Sequence, residues 1–431
     1  MIERLRRSVL FRHAALVFGG VVVANICNYL YYMLVGRAAG VVVYGEVTSL
    51  ASALLVLGAP ANVGQLIVAK LAADLDAAGD RAALRRLSDV VTRWTLLAGM
   101  LVVVVAVVLR RPVAGFFNLD DPAPIVATAF ALAAFFVTYV QRGVLQGAHL
   151  FEEFSVSLVI EAFARVALGV VLVLRWGATG ALIGSGIGVA LGGIYNAVVF
   201  RRRFGRLRAP VPLDRSTLAR VVSGVGLGQM TLTVLTFYDV PLVKHGFDSR
   251  SAGLYAAAAL VGRAVIAAAA FIPTIVLPKA TARVAAGLSP LPLFVAAVGT
   301  AIALAVFAAL CCLIAPAFAV TTIAGRAFGD AAPLVLLYVF ASGALSIATV
   351  VASYNFGLHR YAFVVPMFVV ACAEIVTLSL WHPSLTAFVE VLLAGHACVL
   401  LASLYGVTAP ATRRDAAEAG DPVPAAEPTI G

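Results

Sequence analysis

Long apolar runs separated by short polar stretches dominate the chain. Twelve runs come close to the ~20 residues that a helix needs to cross ~30 Å of hydrocarbon: 14–36, 46–69, 90–109, 124–147, 154–174, 178–200, 218–242, 251–278, 291–319, 332–356, 361–382 and 386–408. The connections are too short for a separate extramembrane domain. The first run exceeds the ~7–15-residue core of a cleaved signal, so it is expected to be a retained span. Between the second and third runs, "KLAADLDAAGDRAALRRLSDVV" (70–91) sets Leu84, Leu87 and Val91 at helical spacing among charges. That pattern predicts an interfacial helix leading into the third span. Residues 409–431 are polar and rich in Pro and Ala, and are expected to be a disordered cytoplasmic tail.

Composition settles the solvent. Hydrophobic residues make up 62% of the chain and charged residues only 12%, against about 25% in soluble proteins. The net charge of +10 is unevenly placed. With the N-terminus in the cytoplasm, 21 lysines and arginines face that side and 7 face the other, while Arg142, Arg165 and Arg263 fall within spans. This bias puts both termini inside. The cluster "RRRFGRLRAP" (201–210) then reads as a topology signal in contact with anionic lipid at the cytoplasmic face, and no nucleic-acid partner is expected. Cys27, Cys311, Cys312, Cys372 and Cys398 lie in apolar runs without metal-site spacing. They read as packing residues, and no cofactor or metal is expected.

The two halves of the chain resemble each other. "LVGRAAGVVVYGE" (34–46) matches "LVKHGFDSRSAGLYAA" (242–257), "AKLAADLDAAG" (69–79) matches "PKATARVAAG" (278–287), and "GAHLF" (147–151) matches "GLHRY" (357–361). The shift stays near 208–211 residues and covers six spans. An even number of spans gives copies of the same orientation, the parallel-repeat design of some transporters. The expected architecture is all-α: a six-helix lobe (1–200), a basic linker (201–217) and a second six-helix lobe (218–408).

Two arginines sit near the middle of their spans, Arg165 in "EAFAR" and Arg263 in "ALVGRAV". A charge there costs at least about 3 kcal/mol and faces a bundle interior or water, and arginine cannot escape by losing its proton. Glu161 lies one turn before Arg165 on the same face, so the pair reads either as structural or as one that an anion can open. Arg263 has no acid within four residues, and Glu374 is the in-membrane candidate for its partner. Asn25, Asn28, Asn62, Gln65, Gln229 and Thr233 are polar at mid-depth and suited to bonds between helices. Arg142, near a cytoplasmic end, is expected to snorkel outward.

"LVGRAAGVVVYGEVTSLAS", "LQGAHLFEEFSVSLVIEAFARVALGVVLVLRWGATGALIGSGIG" and "YDVPLVKHGFDSRSAGLYAAAALVGRAV" resemble the polysaccharide-transporter (Wzx-like) family of oligosaccharide flippases. That family belongs to the MOP superfamily, with the MATE exporters and lipid II flippases. The resemblance implies two six-helix lobes in a V shape in a bacterial cytoplasmic membrane. It implies alternating access that carries an undecaprenyl-pyrophosphate-linked oligosaccharide to the outer leaflet for surface polysaccharide assembly. It also implies a polysaccharide polymerase and a chain-length protein as partners. Substrate-binding positions would be Arg165, Arg263, Asn25 and, at the outer rim, Arg37 and Lys244, with Glu161 and Glu374 for ion coupling. The rival readings are a MATE-like exporter of small organic cations and a membrane glycan polymerase or ligase. The polymerase or ligase reading finds only Asp120 and Asp121 in a short outer loop.

The charge bias predicts an accessibility pattern. In intact cells, a membrane-impermeant thiol reagent should label a cysteine placed in 110–123 and spare one placed in 201–217. The reverse pattern would invert the topology.

Overall fold

A computed structural model of the protein describes the backbone of residues 2–205 and 222–408, and most side chains from Val17 onward. Residues 206–217 of the expected linker and the expected tail 409–431 lie outside the described residues. All secondary structure among the described residues is helical. The helices of the first half are α1 (Ile2–Ala77), α2 (Arg81–Phe116), α3 (Ala123–Gly147) and α4 (Phe151–Phe204). After a π-helical turn at Val222–Gly226 come α5 (Leu227–Phe237), α6 (Asp239–Gly246), α7 (Ser249–Ala269), α8 (Phe271–Ala285), α9 (Leu291–Ile314) and α10 (Pro316–Ile323). A 3₁₀ turn at Arg326–Ala331 precedes α11 (Ala332–Gly357), α12 (Val364–Leu380) and α13 (Leu385–Thr408).

Length alone shows that α1 and α4 are each two spans. At 1.5 Å per residue, the 76 residues of α1 would reach about 114 Å, well beyond any bilayer core. Gly40 (φ 76°, ψ 177°) breaks α1, and Trp176 and Gly177 (φ 52°, ψ −135°) break the 54-residue α4. A left-handed φ is open to glycine at little steric cost, so each crossing turns back with almost no loop. The expected spans fall on helical segments among the described residues, and the first four residues of the span expected at 218–242 lie outside them. Among the described residues, eight helical stretches are long and apolar enough to cross a membrane, two of them being the broken α1 and α4, and Gly224–Phe237 and Val364–Leu380 are shorter apolar helices.

The chain forms two compact units. The first comprises the described residues up to Val222 with Phe237–Ala256 and Thr321–Phe328. The second comprises Ser223–Thr236, Ala257–Val320 and the described residues from Gly329 onward. In the first unit α1, α3 and α4 pack on one another, and α2 lies on α3. In the second, α11 is the hub, contacting α8, α9 and α13.

Lipid tails are as apolar as leucine, so these contacts depend on close packing more than on escape from water. A Cβ on Gly184 would lie 2.5 Å from the Gly169 Cα, and one on Gly147 would lie 2.1 Å from the Ala69 carbonyl oxygen.

The internal repeat recurs in backbone detail. His149 and His359 follow the ends of α3 and α11 with φ of 56° and 55°. Gly79 and Gly287 end their helices with φ of 70° and 67°. Gly147 packs on Ala69 and Ala72, as Gly357 packs on Leu277 and Ala280. Tyr44 and Tyr255 are both fully buried.

One expectation is corrected. Residues 70–91 are not a single interfacial helix. The chain turns at Gly79, and the Asp80 side chain caps α2 by accepting the Ala83 N–H at 2.8 Å. Short polar residues compete with the helix backbone in this way and end or start helices. Leu84 and Leu87 are buried in a protein core with Val144, Phe154 and Phe200, and do not lie on lipid.

Gly147→Ala should destabilise the protein by about 1–3 kcal/mol through overpacking. A Cβ on Gly299 meets nothing within 4 Å, so Gly299→Ala should be neutral or stabilising by up to about 1 kcal/mol. Thermal unfolding in detergent compares the two; equal effects would refute the close approach of α3 to α1.

Candidate functional site

The first unit holds a polar cluster in its packed interior. Glu161 Oε1 accepts from Arg165 Nη2 at 2.7 Å, the one-turn pair that the sequence predicts. Its Oε2 lies 2.8 Å from Arg142 Nη2, poorly aligned for a hydrogen bond but close enough for an ion pair. Arg142 also donates to the hydroxyl of Ser157 from Nε (3.2 Å) and to its carbonyl from Nη2 (3.0 Å), and its guanidinium lies over the Tyr139 ring. Arg165 Nη1 donates to Asn28 Oδ1 at 2.7 Å. Small residues make room for the cluster: a Cβ on Gly188 would lie 2.8 Å from the Arg165 backbone nitrogen, and one on Gly192 would lie 3.4 Å from Arg142 Nη2.

Arg142 therefore does not snorkel. Its side chain is 1% exposed. Five residues from the end of α3, a long side chain can reach outward or inward. The buried Glu161 carboxylate decides, because it offers the Arg142 guanidinium an opposite charge inside the bundle, 2.8 Å away. No signal along the sequence links Arg142 to Glu161, 19 residues away; only helix packing brings them together. Asn28, rather than Asn25, serves Arg165, and Asn25 is half-buried in the first arm of α1.

The cluster carries two guanidiniums and one carboxylate, a net charge of +1. It also has unmatched donors: Arg142 Nη1 and Arg165 Nε make no hydrogen bond among the described residues. The Arg165 side chain is 20% exposed, so it is the reachable member.

Arg37 and Lys244 belong to the same unit but lie elsewhere in it. Arg37 is exposed and its Nη2 donates to the Thr322 carbonyl at 2.6 Å. Lys244 is fully buried; its Nζ donates to Ser249 Oγ at 2.6 Å and to the Asn118 carbonyl at 3.4 Å. Asn118 in turn donates to the carbonyls of Lys244 and His245. These contacts join α6 to the turn before α3. Arg142 is 19 residues into α3, roughly 28 Å along it. In the turn that follows α6, hydrogen bonds from Ser251 hold the Asp248 carboxyl below its usual range, and Asp248 Oδ1 caps α7 by accepting the Arg250 and Ser251 N–H groups.

Arg263 and Glu374 lie in the second unit. Arg263 is half-buried and Glu374 is buried. Glu374 packs on Gly395, where a Cβ would fall 2.3 Å from its carboxyl carbon. Glu374 Oε1 is 3.5 Å from His396 Nε2, and His396 Nδ1 is 3.0 Å from the Ala341 carbonyl oxygen. His396 was missed from sequence because a lone histidine in an apolar run carries no pattern. Among the described residues, no group of three or more His, Cys, Asp or Glu is arranged to hold a metal.

No family model matches the chain, and no curated protein matches it in sequence. Solved structures do match in shape. An inward-facing multidrug-resistance MATE family transporter of the MOP superfamily superposes with a TM-score of 0.63 at 13% identity, covering 92% of this chain and 96% of that one. The eukaryotic MATE transporter AtDTX14 gives 0.62 at 12% identity, covering 95% and 98%. A MOP superfamily transporter from Pyrococcus furiosus gives 0.53 at 13% identity, covering 94% and 96%. The chain thus has the fold of the MATE transporters of the MOP superfamily. Among the described residues it is an all-helical, multi-span membrane protein with an internal repeat.

Glu161→Gln should destabilise the protein by about 3–5 kcal/mol, since two guanidiniums lose their shared counter-charge. Arg165→Ala should cost clearly less, because Arg142 still neutralises Glu161. Thermal unfolding of both variants in detergent checks the order, and the reverse order would refute the shared pair.

Proposed function

We propose that the protein is an alternating-access flippase for a lipid-linked oligosaccharide whose diphosphate is recognised by the Arg142–Glu161–Arg165 cluster. The observation that carries this reading is the ratio of two guanidiniums to one carboxylate in a membrane-embedded unit, with donors left over. Arginine binds phosphate through several charge-assisted hydrogen bonds at once, which offsets part of its burial cost. Arg142 and Arg165 have distinct tasks. Arg142 is locked on Glu161 and Ser157 and keeps the carboxylate neutralised. Arg165 can then exchange Asn28 and Glu161 for a phosphate without stranding a buried charge. The sugars need a wet path, whereas the polyprenyl tail can stay in lipid.

Glu374 and His396 are assigned to ion coupling. When His396 Nδ1 donates to the Ala341 carbonyl, Nε2 faces the Glu374 carboxylate at 3.5 Å, and a proton on either would join the two. The pair is thus a site for one exchangeable proton. Glu161, held by two arginines, is assigned to the anion cluster. The expected polymerase and chain-length partners belong to this reading. So do an inner-membrane setting and cytoplasmic termini.

A second reading, export of small organic cations, is consistent with the fold neighbours, several of which are multidrug-resistance or MATE transporters. Another neighbour, the Pyrococcus furiosus transporter, is described as having a binding pocket of reverse polarity that suggests a different function. That description supports a fold that accommodates either sign of charge.

The test uses proteoliposomes loaded with a fluorescent polyprenyl-diphosphate oligosaccharide, with flipping read by quenching from outside. Arg165→Ala should lower the initial rate at least tenfold, with Arg165→Lys intermediate. Glu374→Gln should remove the response to a pH gradient. Unchanged flipping by well-folded Arg165→Ala, or extrusion of organic cations without any flipping, would reject the flippase reading.

A further inference from the structure

Among the described helices long enough to cross a membrane, α2 has the least buried apolar stretch. It packs chiefly on α3 and only sparsely on α4. Where α2 and the end of α4 diverge, a groove of about 370 Å³ remains, within the ~300–1,000 Å³ range of small-molecule sites. Its polar end is lined by Arg85, Arg93 and Arg201, and its apolar end by Leu96, Leu97 and Met100. Both walls belong to the first unit.

The charges in this groove are not balanced. Arg85 pairs with Asp89 on its own helix at 3.0 Å, yet its buried Nε makes no hydrogen bond among the described residues. Arg93 and Arg201 are exposed, and neither forms a hydrogen bond or ion pair among the described residues. Arg203, two residues beyond Arg201, turns instead to Glu153. Three arginines and one aspartate leave +2 at the polar end. The Ser88 hydroxyl there is already spent on the Arg85 carbonyl, and that of Thr92 accepts from Gln141, so the unmet demand is for an anion.

The apolar end follows at once. Arg93 to Met100 spans seven residues, about 10 Å along the helix. Leu96, Leu97 and Met100 are 54%, 46% and 64% exposed, and Trp94 beside them is 66% exposed. Such exposure on a membrane helix faces lipid. A soluble anion would leave this apolar wall unused. An amphipathic ligand with phosphate above and hydrocarbon below would fill both ends.

We propose that this groove is a binding site for an anionic diacyl phospholipid of the surrounding membrane. Its phosphate sits between Arg93 and Arg201, and one acyl chain runs along Leu97 and Met100. Charge-assisted hydrogen bonds set the headgroup, and the basic end adds electrostatic attraction to anionic lipid. The groove shares no lining residue with the Arg142–Glu161–Arg165 cluster, and the proposal does not depend on the flippase reading.

The experiment is native mass spectrometry of the full chain released from phosphatidylcholine vesicles with and without phosphatidylglycerol. The wild type should retain phosphatidylglycerol at least fivefold over phosphatidylcholine. The double variant Arg93→Ala, Arg201→Ala should lose that preference. Both side chains are exposed, and an unchanged melting temperature verifies folding. The control Arg175→Ala, Arg202→Ala removes the same charge outside the groove and should retain the preference. Equal loss in the control would reduce the effect to general surface charge and overturn the proposal. So would absence of a phosphatidylglycerol preference in the wild type. Displacement of phosphatidylglycerol by equimolar undecaprenyl pyrophosphate would make the groove a loading position for a diphosphate lipid, and would overturn it too.

Discussion

Hydrocarbon offers no hydrogen bonds, and that constraint governs this protein from backbone to charge. Each backbone N–H and C=O in the bilayer must be satisfied within its own segment, so all secondary structure among the described residues is helical. Where a helix ends, the next begins almost at once: at Gly40, at Trp176 and Gly177, and at the Asp80 cap. The same solvent removes most of the drive for apolar side chains to cluster. Close packing through small residues takes over, with Gly147 against Ala69, Gly169 against Gly184 and Gly357 against Leu277.

Within that frame a buried charge survives only by finding partners, and each unit meets the demand differently. In the first unit one carboxylate is shared between two guanidiniums, with Ser157, Asn28 and the Tyr139 ring completing the shell. In the second, a carboxylate faces an imidazole that is anchored to a helix carbonyl. The first arrangement leaves surplus positive charge and unmatched donors, which suits an anion. The second sets a buried carboxylate 3.5 Å from an imidazole nitrogen. Buried ion pairs of this kind can often be replaced by apolar residues of similar volume without loss of stability.

The repeat links the two halves. Corresponding positions keep their backbone roles, as the left-handed His149 and His359 and the helix-ending Gly79 and Gly287 show. The charged residues do not correspond: Arg142, Glu161 and Arg165 have no equivalents of the same chemistry one repeat later. Backbone geometry is set by steric rules that both copies must obey. Side-chain chemistry is free to diverge once the scaffold stands, so the halves share backbone turns and differ in their buried charges.

By itself the sequence determined the twelve spans, the repeat and the Glu161–Arg165 pair. Those follow from local quantities: apolar run length, a constant shift and spacing along one helix. Tertiary structure alone decided that Arg142 turns inward, that Asn28 rather than Asn25 serves Arg165, that Lys244 is enclosed by Asn118 and Ser249, and that His396 faces Glu374. It also decided that 70–91 breaks into two helices with its leucines against protein. In each of these cases the partner lies on another helix, or two local readings have similar energy. A long side chain can snorkel either way, and an amphipathic turn can face lipid or core. The choice is made by which neighbour the packed helices bring within a few ångströms, a fact of three dimensions that spacing along one chain does not contain.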